Sequence, residues 1–284
     1  MPPKILVISG PTASGKTKLA VALAKARGGE VVSADSMQIY RRMDIGTAKP
    51  THEEMEGVPH HMLDVAEPEE NFSVARYVDM AARCVDDILA RGGLPIVAGG
   101  TGLYIDSLLS GRTFAHFDPD SAARLHPNDE KRIIRALEVY HSTGKTITQH
   151  NRETLALPPR YDALTITLAF QRREDMWARI DRRVDEMMER GLAQEVRSLL
   201  DSGVPEKCTA MQAIGYKEMA AALRGDGDVD RAAREIQLRS RQYAKRQLTW
   251  FRRNGAAKWI TWDSEPNFAQ ALQVSTGYLE DFGI

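Results

Sequence analysis

The octapeptide Gly10-Pro11-Thr12-Ala13-Ser14-Gly15-Lys16-Thr17 limits the fold of this chain more than any other stretch. It satisfies the spacing G-x-x-x-x-G-K-[ST], and its flanks suit that motif. Lys4 to Ser9 is a short apolar run that predicts a buried strand. Lys18 to Ala26, rich in Ala, Leu and Lys, predicts a helix. A strand, a glycine loop and a helix N-terminus in that order make a phosphate cradle. Backbone N–H groups converge on the loop, the helix end adds positive potential, and Lys16 brings a full charge. The hydroxyl of Thr17 is then in place for a magnesium ion. The pattern predicts a phosphate-bearing ligand and leaves the chemistry open.

The alternation of strand and helix continues beyond the loop. Glu30 to Ala34 predicts a second strand ending at Asp35-Ser36, and Val74 to Ala90 a helix stopped by Gly92-Gly93. Leu94 to Ala98 predicts a buried strand running into Gly99-Gly100-Thr101. Apolar strands separated by helices predict an α/β fold, a P-loop NTPase-like parallel sheet flanked by helices. Ligands of such sheets bind beyond the carboxyl ends of the strands. Three ends are therefore expected at one site: the loop at Gly10, the turn at Asp35 and the turn at Thr101.

Residues 1–112 read as the first part of this core. Residues 113–159 read as a helical insertion, with Asn128 as N-cap, Ile133, Ile134, Leu137 and Tyr140 at helical spacing, and Gly144 as the stop. Residues 160–284 read as the second part of the core, with basic C-terminal helices. Ala163 to Phe170 predicts a strand. Met176, Ile180, Val184, Met187 and Met188 stripe a long amphipathic helix, which continues as more helix through Val196 and Leu199. Residues 230–253 predict another helix, and Lys258 to Trp262 a last strand.

Composition removes several classes of function. The chain is 43% hydrophobic and 27% charged, as ordinary globular proteins are. No apolar run approaches the roughly 20 residues of a membrane span. The first strand begins too early to leave room for a signal peptide. Two cysteines, Cys84 and Cys208, supply neither a disulfide framework nor a four-ligand zinc site, so a reducing cytoplasm is the expected setting. The net charge of −1 gives no bulk attraction for nucleic acid, so any such case rests on local clusters.

Asp35 admits two readings: general base or hydrogen-bond acceptor for a substrate over the phosphates, or a carboxylate that organises a Ser-Ala-Asp-Ser turn. Thr101 follows two glycines that let a ligand approach the backbone. Ile96 to Thr101 contains no aspartate of the kind that holds the metal in nucleotide triphosphatases, which weighs against simple ATP hydrolysis. His60 and His61, adjacent on an extended segment, point to opposite faces and suit no shared metal. Lys131 and Arg135 share a helical face. Between Arg231 and Arg253 eight basic residues face one acid, Glu235, with Tyr243, Trp250 and Phe251 among them. That mixture suits phosphates and stacked bases, or equally a solvated face with aromatics in the core. Arg179, Arg183 and Arg190 recur at near-helical spacing, as an arginine clamp for a diphosphate or as surface partners of acids such as Glu186.

Taken together the segments resemble the tRNA dimethylallyltransferases of bacterial type, over nearly the whole chain. The resemblance rests on Gly10 to Thr17, Ser33 to Tyr40, Met43 to Pro50, Val58 to Asp64, Ala98 to Tyr104, His126 to Asp129 with Arg135 to Val139, and Tyr243 to Trp250. It implies transfer of a five-carbon allylic group from dimethylallyl diphosphate to N6 of the adenosine beside the anticodon, releasing diphosphate. It implies that Gly10, Pro11, Thr12, Ala13, Ser14, Gly15, Lys16 and Thr17 hold the diphosphate with Mg2+ on Thr17, and that Arg183 assists. It implies that Asp35 accepts the N6 proton and that Asp35, Ser36, Met37, Gln38 and Thr101 contact the target nucleotide. By the same resemblance Lys131, Arg132, Ile133, Ile134 and Arg135, together with Arg241, Lys245 and Arg246, grip the anticodon stem-loop of tRNA. Neither a membrane nor an obligate protein partner is implied, and a monomer suffices.

One departure stands out. Between Ser110-Gly111 and Asp118-Pro119 the family has a longer stretch, where this chain has only Arg112 to Phe117. Either the insertion is short here or a segment is missing from the sequence. Rival readings are a small-molecule P-loop kinase, an adenylate isopentenyltransferase and a non-catalytic RNA-binding module.

Overall fold

The computed structural model describes residues 2–110 and 158–284. The expected insertion over 113–159, with the basic group Lys131 to Arg135, lies outside the described residues apart from its last two positions. The chain divides into two compact units, Met1–Pro3 with Asp106–Asp162 and Lys4–Ile105 with Ala163–Ile284. In the first, Arg160 N donates to Leu109 O and Asp162 N to Pro3 O, both at 2.9 Å. Every residue of the site described below belongs to the second unit.

The elements in chain order are β1 (Lys4–Ser9), α1 (Lys16–Arg27), β2 (Gly29–Ser33), α2 (His52–Met55), β3 (His60–His61), α3 (Val74–Ala90), β4 (Leu94–Gly99) and α4 (Gly102–Ser110). They continue with β5 (Asp162–Phe170), α5 (Arg173–Glu189), α6 (Leu192–Asp201), a short 3-10 turn (Ala210–Gln212), α7 (Tyr216–Arg224), α8 (Val229–Phe251), β6 (Lys258–Trp262) and α9 (Phe268–Phe282). Among the described residues the expected strands and long helices are present. No helix was expected at α2, α4, α7 or α9, and the expected second strand loses Ala34 to the turn that follows.

The six strands form one sheet in the order β3-β2-β4-β1-β5-β6. Val97 of β4 lies in register with Val7 of β1 on one side and Val32 of β2 on the other, in parallel ladders. Alternation along the strands sorts side chains onto two faces. Leu6, Ile8, Val31, Ile96, Ile166 and Leu168 join one apolar cluster with Leu19 and Leu23 of α1 and Leu279 of α9. Their neighbours Ile5, Val7, Val32 and Val97 are fully buried as well. Burial of both faces explains why these strands read as continuous apolar runs. The hydroxyls of Ser9 and Thr167, also buried, satisfy each other at 2.9 Å.

Topology places the site. The chain leaves β1 toward β2 on one side and leaves β4 toward β5 on the other. The carboxyl ends of β1 and β4 therefore flank a switch point, where a parallel sheet opens a crevice. Because β2, β4 and β1 are consecutive in the sheet, Asp35, Thr101 and the Gly10 loop emerge side by side, as the strand pattern predicts.

Candidate active site

A cleft of about 770 Å3 opens beyond these strand ends. Thr12, Ala13, Gly15, Lys16 and Thr17 of the glycine loop line its floor, whereas Gly10, Pro11 and the buried Ser14 do not line it. Gly10, Ala13 and Gly15 have φ of 150°, 61° and 87°, which curls the backbone of the loop. Lys16, the first residue of α1, folds back to donate to Pro11 O at 2.8 Å. Burial, and then the charge of Arg183, lower its pKa to about 8 against the opposing pull of Asp35. An amine held so close to losing its proton gains strongly from an anion.

Helix α5 supplies the opposite wall. Arg183 donates to Thr12 Oγ1 at 3.4 Å, and Arg179 donates through Nε to Ala13 O at 3.3 Å. Burial holds Arg183 below the usual arginine value, with Asp35 opposing. The i, i+4 spacing aligns these two arginines on one face, while Arg190, at the helix C-terminus, is exposed and lines no part of the cleft. Glu265 pairs with Arg179 at 2.8 Å and with Arg182 at 3.5 Å on the rim.

Asp35 organises a turn and lines the cleft with one carboxylate. Oδ1 accepts from Met37 N at 2.9 Å and from Gln38 N at 3.3 Å, which organises the turn after β2. The side chain also lines the cleft, and Oδ2 makes no hydrogen bond to any described residue. Thr101 does not line the cleft. Its N–H donates to Ala34 O at 3.1 Å and its Oγ1 accepts from Ser36 N at 3.1 Å, so it ties the end of β4 to the end of β2. Gln38 lines the cleft, whereas Ser36 is held by Thr101 and Met37 packs on the apolar cluster around α6 and α7.

Helix α8 closes the remaining side. The buried Gln247 takes Thr12 N–H on its Oε1 and gives its Nε2–H to Gly100 O, each at 2.9 Å. Tyr243, one turn earlier, lines the cleft. Burial and then the Asp35 charge raise its phenol to about 12, while Thr101 and Gln247 act the other way. Of the basic residues expected to meet RNA on this helix, Arg241 is ion-paired with Asp181 of α5 at 2.9 Å. Lys245 and Arg246 are exposed and line a second cavity of about 520 Å3 with Trp250 and Arg253.

Neither Gln247 nor the tryptophan Trp262, whose Nε1–H donates to Ser14 O at 2.9 Å, had an expected role at the site. A signal for Gln247 was present: a polar residue three after Ala244 and four before Phe251, on the buried stripe of an amphipathic helix. His61 bonds Glu30 at 2.7 Å while His60 bonds Val58 O at 2.9 Å, so the two imidazoles serve separate contacts. Among the described residues no group of three or more His, Cys, Asp or Glu could hold a metal ion. The loop brings two hydroxyls to the cleft, Thr12, whose Oγ1 accepts from Arg183, and Thr17.

The family model for IPP transferases matches residues 38–116 and 112–254. The chain belongs to this family. The two matched pieces meet at 112–116, where the sequence is short. A tRNA dimethylallyltransferase of Acetivibrio thermocellus is 44% identical, with 99% of this chain and 98% of that protein covered. That alignment runs over 309 positions against a chain of 284 residues, so the relative carries residues that this chain lacks. A tRNA dimethylallyltransferase of Geobacillus thermodenitrificans is also 44% identical, over 98% of this chain and 97% of its own. Among solved structures, the tRNA isopentenylpyrophosphate transferase of Staphylococcus epidermidis is similar with a TM-score of 0.79 at 39% identity, covering 98% of this chain and 99% of its own. A eukaryotic dimethylallyltransferase acting on tRNA is similar with a TM-score of 0.85 at 30% identity, covering 98% and 80%.

Proposed function

We propose that this protein is a tRNA dimethylallyltransferase that moves the dimethylallyl group of dimethylallyl diphosphate to N6 of the adenosine beside the anticodon. One observation carries the reading of the site. The carboxylate of Asp35 lines the same cleft as Lys16, Arg179 and Arg183. Lys16, Arg179 and Arg183 gathered at the loop, with a carboxylate that has an oxygen to spare, are what a leaving diphosphate and a departing proton require.

The steps follow from these residues. Loop amides, Lys16 and Arg183 take the negative charge that grows on the diphosphate as its C–O bond lengthens. Positive charge on the allylic carbon delocalises, so the poorly nucleophilic exocyclic amine can attack. Asp35 accepts the N6 proton through the oxygen that the turn does not use. Tyr243 offers an aromatic wall to a base that has left its stack. The Thr17 hydroxyl, on the cleft, would hold Mg2+, which would supply charge neutralisation for the diphosphate. Thr101 and Ser36 act by holding the Asp35 turn. Lys245 and Arg246 meet the RNA backbone beside Trp250, and the 113–159 insertion, with Lys131 to Arg135, grips the stem-loop. The protein works as a monomer in the cytoplasm, and among the described residues no helix is long and apolar enough to cross a membrane.

The test is incubation of the protein with dimethylallyl diphosphate, Mg2+ and unmodified tRNA, followed by mass spectrometry of the nucleosides. A five-carbon adduct on adenosine is expected. Its absence, or an adduct on free AMP alone, would overturn the reading.

A further inference from the structure

Glu195 is not part of the cleft, yet it holds one of the cleft's walls. Its carboxylate accepts four hydrogen bonds. Oε2 takes Asp44 N at 2.9 Å and Ile45 N at 2.8 Å, and Oε1 takes Gly46 N at 3.1 Å and the Tyr216 hydroxyl at 2.6 Å. Three successive backbone N–H groups aimed at one anion form a nest. Here the anion is a side chain of α6 rather than a ligand. Position 46 must be glycine for the nest to close, because a Cβ there would collide with the Tyr216 ring and come within 2.9 Å of Leu192.

The loop held by Glu195 runs directly into the cleft. Thr47 and Ala48 line it, and their carbonyls accept from Gln38 Nε2 at 3.3 and 3.1 Å. Gln38 in turn gives its backbone N–H to Asp35 Oδ1. The other end of the loop is pinned by the buried Lys49, which donates to Asp44 Oδ1 and Asp64 Oδ1 at 2.6 Å each and to Tyr40 O at 2.8 Å. The phosphate loop has separate supports: Gln247, Trp262 and the α5 arginines. The two walls of the cleft are thus held by different residues.

We infer that Glu195 is a positioning residue for the acceptor side of the cleft, acting through the 44–48 loop and Gln38 on Asp35, and that the donor side does not depend on it. This rests on the proposed transferase reading, in which the nucleotide occupies the Asp35 side.

Glu195→Gln tests it. The amide keeps the size of the side chain but turns an NH2 toward one or more of the loop N–H groups, so the nest no longer closes. The KM for tRNA should rise roughly ten- to a hundredfold, as displaced positioning groups do at a distance. Affinity for dimethylallyl diphosphate, measured by calorimetry, should stay within roughly twofold, as for uncoupled sites. Tyr216→Phe removes one of the four bonds and should reproduce only a small part of the KM change. Should Glu195→Gln fail to fold by circular dichroism, Glu195→Asp shortens the reach by one methylene, and the same split is required of it. Donor affinity falling in step with the tRNA KM, or an unchanged KM in a folded variant, overturns the inference. A parent protein that forms no adduct on tRNA overturns the transferase reading itself, and this inference with it.

Discussion

The backbone nitrogen of Thr12 donates to Gln247 Oε1 at 2.9 Å, so the phosphate loop is held by a helix that lies 235 residues further along the chain. The same side chain holds Gly100 O with its other end. Two strand-end loops are thereby locked to one buried amide, and the curl of the loop no longer depends on the ligand that fills it.

Gln247→Ala leaves the Thr12 N–H and the Gly100 carbonyl without their partner in a buried place. Each orphaned group costs about 1–3 kcal/mol. A clear fall in Tm is expected, with weaker binding of inorganic diphosphate by calorimetry. If both stay at the parent values, the loop is held by its other contacts and Gln247 is dispensable.

Diphosphate binding should depend on pH through Lys16. In the free protein its amine titrates near pH 8, below the ordinary lysine value. Bound diphosphate favours the charged amine and raises that value. Below pH 8 the amine is already protonated, and Lys16 adds no slope. Above it, binding takes up a proton, so affinity falls as pH rises, by at most about tenfold per unit from this group. Lys16→Arg remains charged throughout and should lose this component of the slope. Proton uptake measured by calorimetry in buffers of different ionisation enthalpy checks it; equal uptake in parent and Lys16→Arg contradicts the assignment.

The two roles of Asp35 can be separated. Asp35→Asn retains an acceptor for Met37 N and Gln38 N but removes the base. Prenyl transfer should fall about 10²- to 10⁴-fold, the range of general-base contributions, while tRNA binding in a filter assay is nearly unchanged. Asp35→Ala also frees the turn and should add a loss of tRNA affinity. Full activity in the asparagine variant would remove Asp35 from the chemistry.

The parts of the site legible in the sequence are those whose signals are local. The Gly10 to Thr17 loop announces itself because glycine spacing, strand and helix all fall within about one supersecondary unit. Arg179, Arg183 and Arg190 were legible together as arginines at near-helical spacing, one of them expected at the diphosphate. What spacing could not decide was which arginines face the loop; Arg190, two turns on, points elsewhere. Asp35 was legible as either turn carboxylate or base, and the structure shows the turn bonds on one oxygen only. The family resemblance placed Thr101 against the nucleotide, and in the structure its hydroxyl accepts from Ser36 N. Arg241 was read with its basic neighbours, yet α5 brings Asp181 against it.

Short-range chemistry in the sequence therefore determined the parallel sheet, the glycine loop with its flanking strand and helix, and the family, because propensity, periodicity and motif each act over a few residues. Tertiary structure alone decided which wall each loop belongs to. Gln247 reaches Thr12 and Glu195 reaches Asp44 to Gly46 across gaps of more than a hundred residues, and hydrogen bonds of that kind exist only once the sheet and its helices have packed. A buried amide and a half-buried carboxylate look ordinary in a sequence. Their partners, backbone groups supplied by distant loops, carry no side-chain signature that could have announced them.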